Sequence, residues 1–115
     1  MIERGVILYK LIVLYKDIID LESFEQFYYD HHVPRILKLN GIVKVEVTYL
    51  FPADEQQQSQ TEPNYSLKSE IYFESPEAFE ITVNSPEGVE LIEEMLEYAG
   101  DKMIAYLGKE IVFTK

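Results

Sequence analysis

With 115 residues the chain is near the commonest size of a single domain, so a two-domain enzyme with its own cofactor fold is not expected. Hydrophobic residues make up 47% and charged residues 27%, the balance of a packed globular protein. Ten Lys+Arg against 21 Asp+Glu give a net charge of −11, a surface that repels nucleic-acid phosphates and anionic lipid headgroups, so neither is expected as a partner. No cysteine is present, which excludes disulfides, thiol nucleophiles and thiolate zinc sites, and the cytoplasm is the expected location.

Val6 to Lys16 is apolar at both parities but short and interrupted by Lys10, which predicts a buried strand and not a membrane span, with Leu11, Val13 and Tyr15 on one face and Ile12 and Leu14 on the other. From Asp20, a plausible N-cap, Leu21, Phe24, Phe27, Tyr28 and His31 recur at helical spacing. Pro34 has no N–H and crowds the preceding turn, so the helix should bend near His31–Val33 and end at Asn40-Gly41. Val43, Val45, Val47, Tyr49 and Phe51 alternate with Lys44, Glu46 and Thr48 in a second strand that ends at Pro52. Residues 53–64 are polar and aperiodic, which predicts a connection outside the core with its greatest mobility at 54–62.

A third strand places Tyr65, Leu67, Ile71 and Phe73 on one parity and Lys68, Glu70 and Tyr72 on the other. Ser75-Pro76-Glu77 and Ser85-Pro86-Glu87 each combine a serine cap, a proline at the first helical position and a glutamate near the positive helix end. They predict a short helix to Val83 and a longer one to Gly100 carrying Val89, Ile92, Met95, Leu96 and Ala99 inward. Met103 to Phe113 is the last strand, with Ala105, Leu107, Ile111 and Phe113 sharing a parity.

The order β-α-β-β-α-β predicts one α+β domain over residues 1–115: a ferredoxin-like, four-stranded antiparallel sheet with helices on one face. The other face would carry Lys44, Glu46, Thr48, Lys68, Glu70 and Tyr72 beside apolar residues of the first and fourth strands. Covering such a face by self-association predicts a homodimer packed sheet to sheet.

Two chemical readings compete on that face. Partly desolvated, Glu46 and Glu70 would serve as acids or bases and Tyr72 as a donor to an oxyanion; solvated, they would form cross-strand ion pairs with Lys44 and Lys68. His31 continues the apolar stripe and is expected to be packed, whereas His32 is expected to lean toward the open sheet face and shuttle protons. Asp30, His31 and His32 are consecutive, a poor spacing for metal ligands on one helix face, and no GxGxxG, GxxxxGK[ST] or GxSxG pattern occurs. Neither a metal nor a cofactor is expected.

KLIVLYK at 10–16, DLESFEQFYYDHHVP at 20–34, LNGIVKVEV at 39–47, SEIYFESPEAF at 69–79 and NSPEG at 84–88 together resemble the EthD family, a branch of the dimeric α/β-barrel superfamily. The most specific elements are His32-Val33-Pro34 followed by Gly41, and Glu70 to Phe73; the polar stretch 53–64 departs from compact members. The resemblance implies a dimeric α/β barrel with a small-molecule cavity between sheet and helices or near the seam. The superfamily includes cofactor-free oxygenases, isomerases, dehydratases, decarboxylases and haem-degrading proteins. A haem role fits poorly with a chain that has no tryptophan. Carried over, the family histidine corresponds to His32, with Glu70 and Tyr72 beside it as catalytic candidates and Tyr28 and Glu46 as ligand contacts.

The expected ligand is a small apolar or aromatic, oxygen-bearing compound, with His32 as proton carrier. A non-catalytic binding homodimer is the alternative. An enzyme should show His32 reaching an empty pocket with a carboxylate or carbonyl fixing its tautomer; a packed or backbone-capped ring favours the alternative.

Overall fold

The computed structural model describes residues 6–53 and 65–115, so the expectation of mobility at 54–62 lies outside the described residues. Strand β1 (Val6–Lys16) leads to helix α1 (Leu21–Phe27), whose first turn is capped by the Asp20 carboxylate accepting from the Ser23 N–H at 3.0 Å. A π-helical turn (Tyr28–His32) joins α1 to α2 (Val33–Leu37). Gly41, at φ +89°, then reverses the chain into β2 (Ile42–Tyr49).

Strand β3 (Tyr65–Phe73) is followed by α3 (Pro76–Val83), α4 (Pro86–Ala99), a short 3₁₀ turn (Gly100–Lys102) and β4 (Met103–Val112). Both predicted serine caps form: Ser75 accepts from Ala78 N–H at 3.0 Å and Ser85 from Gly88 N–H at 3.1 Å.

The strands make one antiparallel sheet in the order β2-β3-β1-β4, the ferredoxin-like arrangement. Val13 lies opposite Ser69 and Ala105, and Ile12 opposite Glu70 and Tyr106, which fixes what each face displays. The helix-covered face supplies Val13, Tyr15 and Leu67 to a core completed by Phe24, Tyr28 and Met95. Tyr15 meets the edge of Phe24 with ring centroids 5.2 Å apart.

Three expectations are corrected. Val43 is not on the covered face: the register shifts between Ile42 and Lys44, so Ile42 takes the inward position and Val43 is exposed. The buried line of α4 is Gly88, Leu91 and Met95, with Val89 and Leu96 exposed and Ile92 half-exposed at the edge of the space under the helix. Gly88 explains this roll, because it seats α4 against the end of α3 so closely that a Cβ there would lie 2.0 Å from the Thr82 carbonyl oxygen. Finally, β2 ends at Tyr49, so Phe51 lies beyond the strand and is exposed. As on any edge strand, Leu107 and Ile111 of β4 are exposed too.

Gly88→Ala should therefore destabilise the protein by about 3 kcal/mol, the upper range for forcing atoms into a packed contact. Gly108→Ala should cost less, since its Cβ would meet the flexible end of Ile12 at 2.8 Å. Denaturant melts of the two variants check the order, and a Gly88→Ala melt matching the parent would refute the packing argument.

Candidate functional site

Between the covered sheet face and the helices lies a cavity of about 350 Å³. Leu11, Val13 and Ile71 form its floor, Leu91 and Met95 its helical wall, and Tyr28 and His32 enter from the π-helical turn. The lining is overwhelmingly apolar because the inward parities of β1 and β3 converge with the Gly88–Leu91–Met95 line of α4.

The π-helical turn brings His32 there. Pro34 has no N–H, and the Val33 N–H bonds to the Tyr28 carbonyl five residues back, widening the helix. The extra residue shifts the inward position from 31 to 32. His32 is 5% exposed and stacked between Phe27 and Tyr28, at centroid distances of 5.7 and 5.5 Å. The His31 side chain is 55% exposed. The sequence reading is thus corrected twice: His31 is not the packed histidine, and His32 faces the helix-side cavity and not the open sheet face.

His32 Nδ1 lies 3.0 Å from Glu94 Oε1. Arg35 Nη1 donates to the other oxygen of Glu94 at 2.7 Å, which His31 Nε2 also approaches at 3.3 Å, while Arg35 Nη2 donates to Glu90 at 2.9 Å. Hydrogen bonding to His32, together with His31 and the Arg35 guanidinium, holds the Glu94 carboxyl below the usual carboxylate range despite its partial burial. Burial pulls His32 below the ordinary imidazole value of 6.5 and outweighs the upward pull of Glu94. The pair at neutral pH is accordingly a neutral imidazole donating from Nδ1 to an ionised carboxylate.

Nε2 is then the lone-pair nitrogen. His32 lines the cavity, and on an imidazole Nε2 points away from the Nδ1 edge that meets Glu94. The lining hydroxyls are engaged: Tyr15 with Tyr28, Tyr28 with Ser69, and Thr82 with the Asn40 carbonyl at 2.8 Å. Among the described residues no cluster of three His, Asp or Glu side chains is arranged to hold a metal ion.

The remaining candidates lie elsewhere. Glu46, Glu70 and Tyr72 belong to the opposite parity of β2 and β3, so the sheet separates them from His32 and Tyr28. Glu70 is bonded to Lys10 and lies 3.2 Å from Lys68 Nζ; Glu46 pairs with Lys44 on its own strand at 3.2 Å. Lys10 also reaches the Tyr72 hydroxyl at 3.3 Å and Glu110 at 3.2 Å.

Burial opposes the Lys10 charge, but hydrogen bonds to Glu70, Tyr72 and Glu110 overcome it and raise the pKa above the ordinary lysine range. Burial likewise pushes Glu70 up, and Lys10 and Lys68 more than offset it, leaving the carboxylate ionised. Burial is the largest influence pushing the Tyr72 phenol up to about 12. These groups hold their charge states firmly and form a salt-bridge ladder centred on Lys10, which the sequence reading had not included.

Glu94 was likewise not a sequence candidate. It sits 62 residues from His32, and its one local signal is the Glu90/Glu94 spacing of one helical turn, matching the His31/Arg35 spacing on the facing segment.

Fold and site together define a ferredoxin-like α+β protein with an apolar cavity served by one buried histidine. The EthD domain profile matches residues 16–99, and the chain belongs to the EthD family. An EthD family protein of Bacillus halodurans is similar at 24% identity and TM-score 0.75, covering 90% of this chain and 98% of that one. The hydroxynitrile lyase of Passiflora edulis is similar at 15% identity and TM-score 0.62, covering 94% and 95%. A dimeric protein of ferredoxin-like fold from Bacteroides fragilis is similar at 16% identity and TM-score 0.55, covering 90% and 96%. No curated protein matches the chain in sequence. No described helix is long and apolar enough to cross a membrane.

A pH dependence follows from the His32 environment. Its pKa is lower in the folded state than in the unfolded chain, so unfolding takes up a proton below about pH 6.5. The stability it confers is complete above that value and declines as the pH falls; Glu94, also lowered, acts in the same direction further down from about 4.5. Melting temperature should fall between about pH 7 and 5.5, and His32→Phe should flatten that portion of the curve. An unchanged slope in the variant would contradict the assignment.

Proposed function

We propose that this EthD protein binds a small, largely apolar or aromatic, oxygen-bearing compound in the helix-side cavity and that His32 exchanges a proton with it. The observation that carries the reading is a buried, neutral imidazole backed by an ionised carboxylate on the wall of a cavity that is otherwise apolar. At about 350 Å³ the cavity is at the small end of ligand pockets, which run from about 300 to 1,000 Å³. Abstraction of a proton from a hydroxyl or an activated C–H is the first step of isomerisation, elimination and cofactor-free oxygenation alike, and a lone-pair nitrogen in a water-poor pocket suits it. Tyr28 would contact the ligand through its ring, since its hydroxyl is bonded to Ser69.

The non-catalytic alternative has its own support. The Tyr15, Tyr28 and Thr82 hydroxyls are engaged inside the protein, so the described lining offers the imidazole no free acid, where many eliminations use an acid as well as a base.

The open sheet face would be the seam of a homodimer. Its exposed Ile104 and Tyr106 flank the Lys10–Glu70 ladder, giving an amphipathic surface, and the similar Bacteroides fragilis protein is dimeric. In this reading Glu46, Glu70 and Tyr72 are interface residues, with no part in proton transfer at the cavity.

Two measurements test the proposal. His32→Asn should keep the fold and lower any turnover found in a ligand screen by about 10²–10⁴; unchanged turnover per folded molecule would favour the binding alternative. Light scattering should give a dimer that Tyr106→Lys weakens without loss of secondary structure. A folded monomer at micromolar concentration would rule out the seam.

A further inference from the structure

We propose that Glu94 is a positioning residue that locks His32 with its proton on Nδ1, so that the cavity presents Nε2 as a hydrogen-bond acceptor and selects uncharged ligands bearing a hydroxyl over isosteric ethers and carboxylates. The inference rests on the helix-side cavity being the ligand site and adds what that site discriminates.

The tautomer follows from the chain of contacts. Arg35 Nη1 holds Glu94 Oε2 at 2.7 Å, a charge-assisted bond that keeps the carboxylate ionised and therefore purely an acceptor. Its other oxygen faces His32 Nδ1 at 3.0 Å, and an acceptor can only receive, so Nδ1 carries the proton. A neutral imidazole has one N–H, which leaves Nε2 with a lone pair. The ring cannot turn over to exchange its nitrogens without leaving the stack between Phe27 and Tyr28.

Selectivity follows from the rest of the lining. A ligand hydroxyl can donate to Nε2, whereas an ether oxygen in the same place sets one acceptor against another. A carboxylate fares worse, because no Lys or Arg lines the cavity: the nearby guanidinium of Arg35 is committed to Glu90 and Glu94. A buried anion without a partner is strongly disfavoured, and an unmade hydrogen bond typically costs about tenfold in binding.

The test uses the full chain at neutral pH with three probes of one shape: 2-naphthol, 2-methoxynaphthalene and 2-naphthoate. Long-range ¹H–¹⁵N correlation spectra of histidine-labelled protein should show His32 protonated on Nδ1 and bare at Nε2. Titrations followed at the Leu91 and Met95 methyls should give 2-naphthol about tenfold tighter than 2-methoxynaphthalene, with 2-naphthoate weakest. In Glu94→Gln the amide can donate to Nδ1 as well as accept, so the spectrum should show mixed tautomers and the hydroxyl preference should shrink while the affinity for 2-methoxynaphthalene persists.

A parent protein protonated on Nε2, or one that binds all three probes alike, overturns the inference, and both measurements stand even if the variant fails to fold. A preference unchanged in folded Glu94→Gln also overturns it. If no probe shifts the cavity methyls, the ligand-site reading itself has failed, a result distinct from binding without discrimination.

Discussion

The widened turn at Tyr28–His32 is the constraint on which the site depends. Pro34 withholds a donor, the Val33 N–H reaches back to the Tyr28 carbonyl, and the helix gains a residue at that point. Tyr28 and His32 are thereby set on the buried side, while His31 and Arg35 face Glu94 from outside it. One carboxylate of α4 then holds three side chains of the facing segment. Partly buried charge contacts of this kind add little net stability but are costly to break singly, so their main effect is to fix orientation. Here they orient an imidazole.

Alternation along the strands divides the chemistry of the molecule into two compartments. On the covered face the buried residues are apolar apart from Ser69 and the Tyr15 hydroxyl, both satisfied by Tyr28, and the resulting space is small and largely apolar. On the other face Lys10, Glu70, Tyr72 and Glu110 saturate one another. A lysine held in its charged form by two carboxylates, with a phenol pushed up to about 12, is a stable electrostatic knot and a poor proton relay near neutrality. The proposed proton carrier sits in the compartment with the fewest polar groups, where burial lowers the pKa of a single imidazole.

Much of this was legible in the sequence where the signal is local. Period-two alternation grouped Leu11, Val13 and Tyr15 on one face, and the caps at Asp20, Ser75 and Ser85 marked helix starts that form as expected. Three features were not legible. A helical wheel assumes 3.6 residues per turn, so it directs His31 inward, and only the π-helical turn moves that position to His32. The register shift beside Val43 is decided by pairing with β3 and leaves no local mark. Glu94 is one of several acidic residues on α4, and what distinguishes it is a partner 62 residues away. The grouping of His32 with Glu70 and Tyr72 failed for a related reason: parity within β3 was read correctly, but which face His32 approaches depends on the turn.

A crystal structure of the protein soaked with 2-naphthol tests the central claim, that proton chemistry belongs to the helix-side cavity. The account predicts the ring system between Leu11, Ile71 and Leu91, with its hydroxyl within hydrogen-bond distance of His32 Nε2 and the Glu94 contact unchanged. A ligand lodged instead on the outer face of the sheet against Glu70 and Tyr72, with the cavity closed by its own side chains, would contradict it.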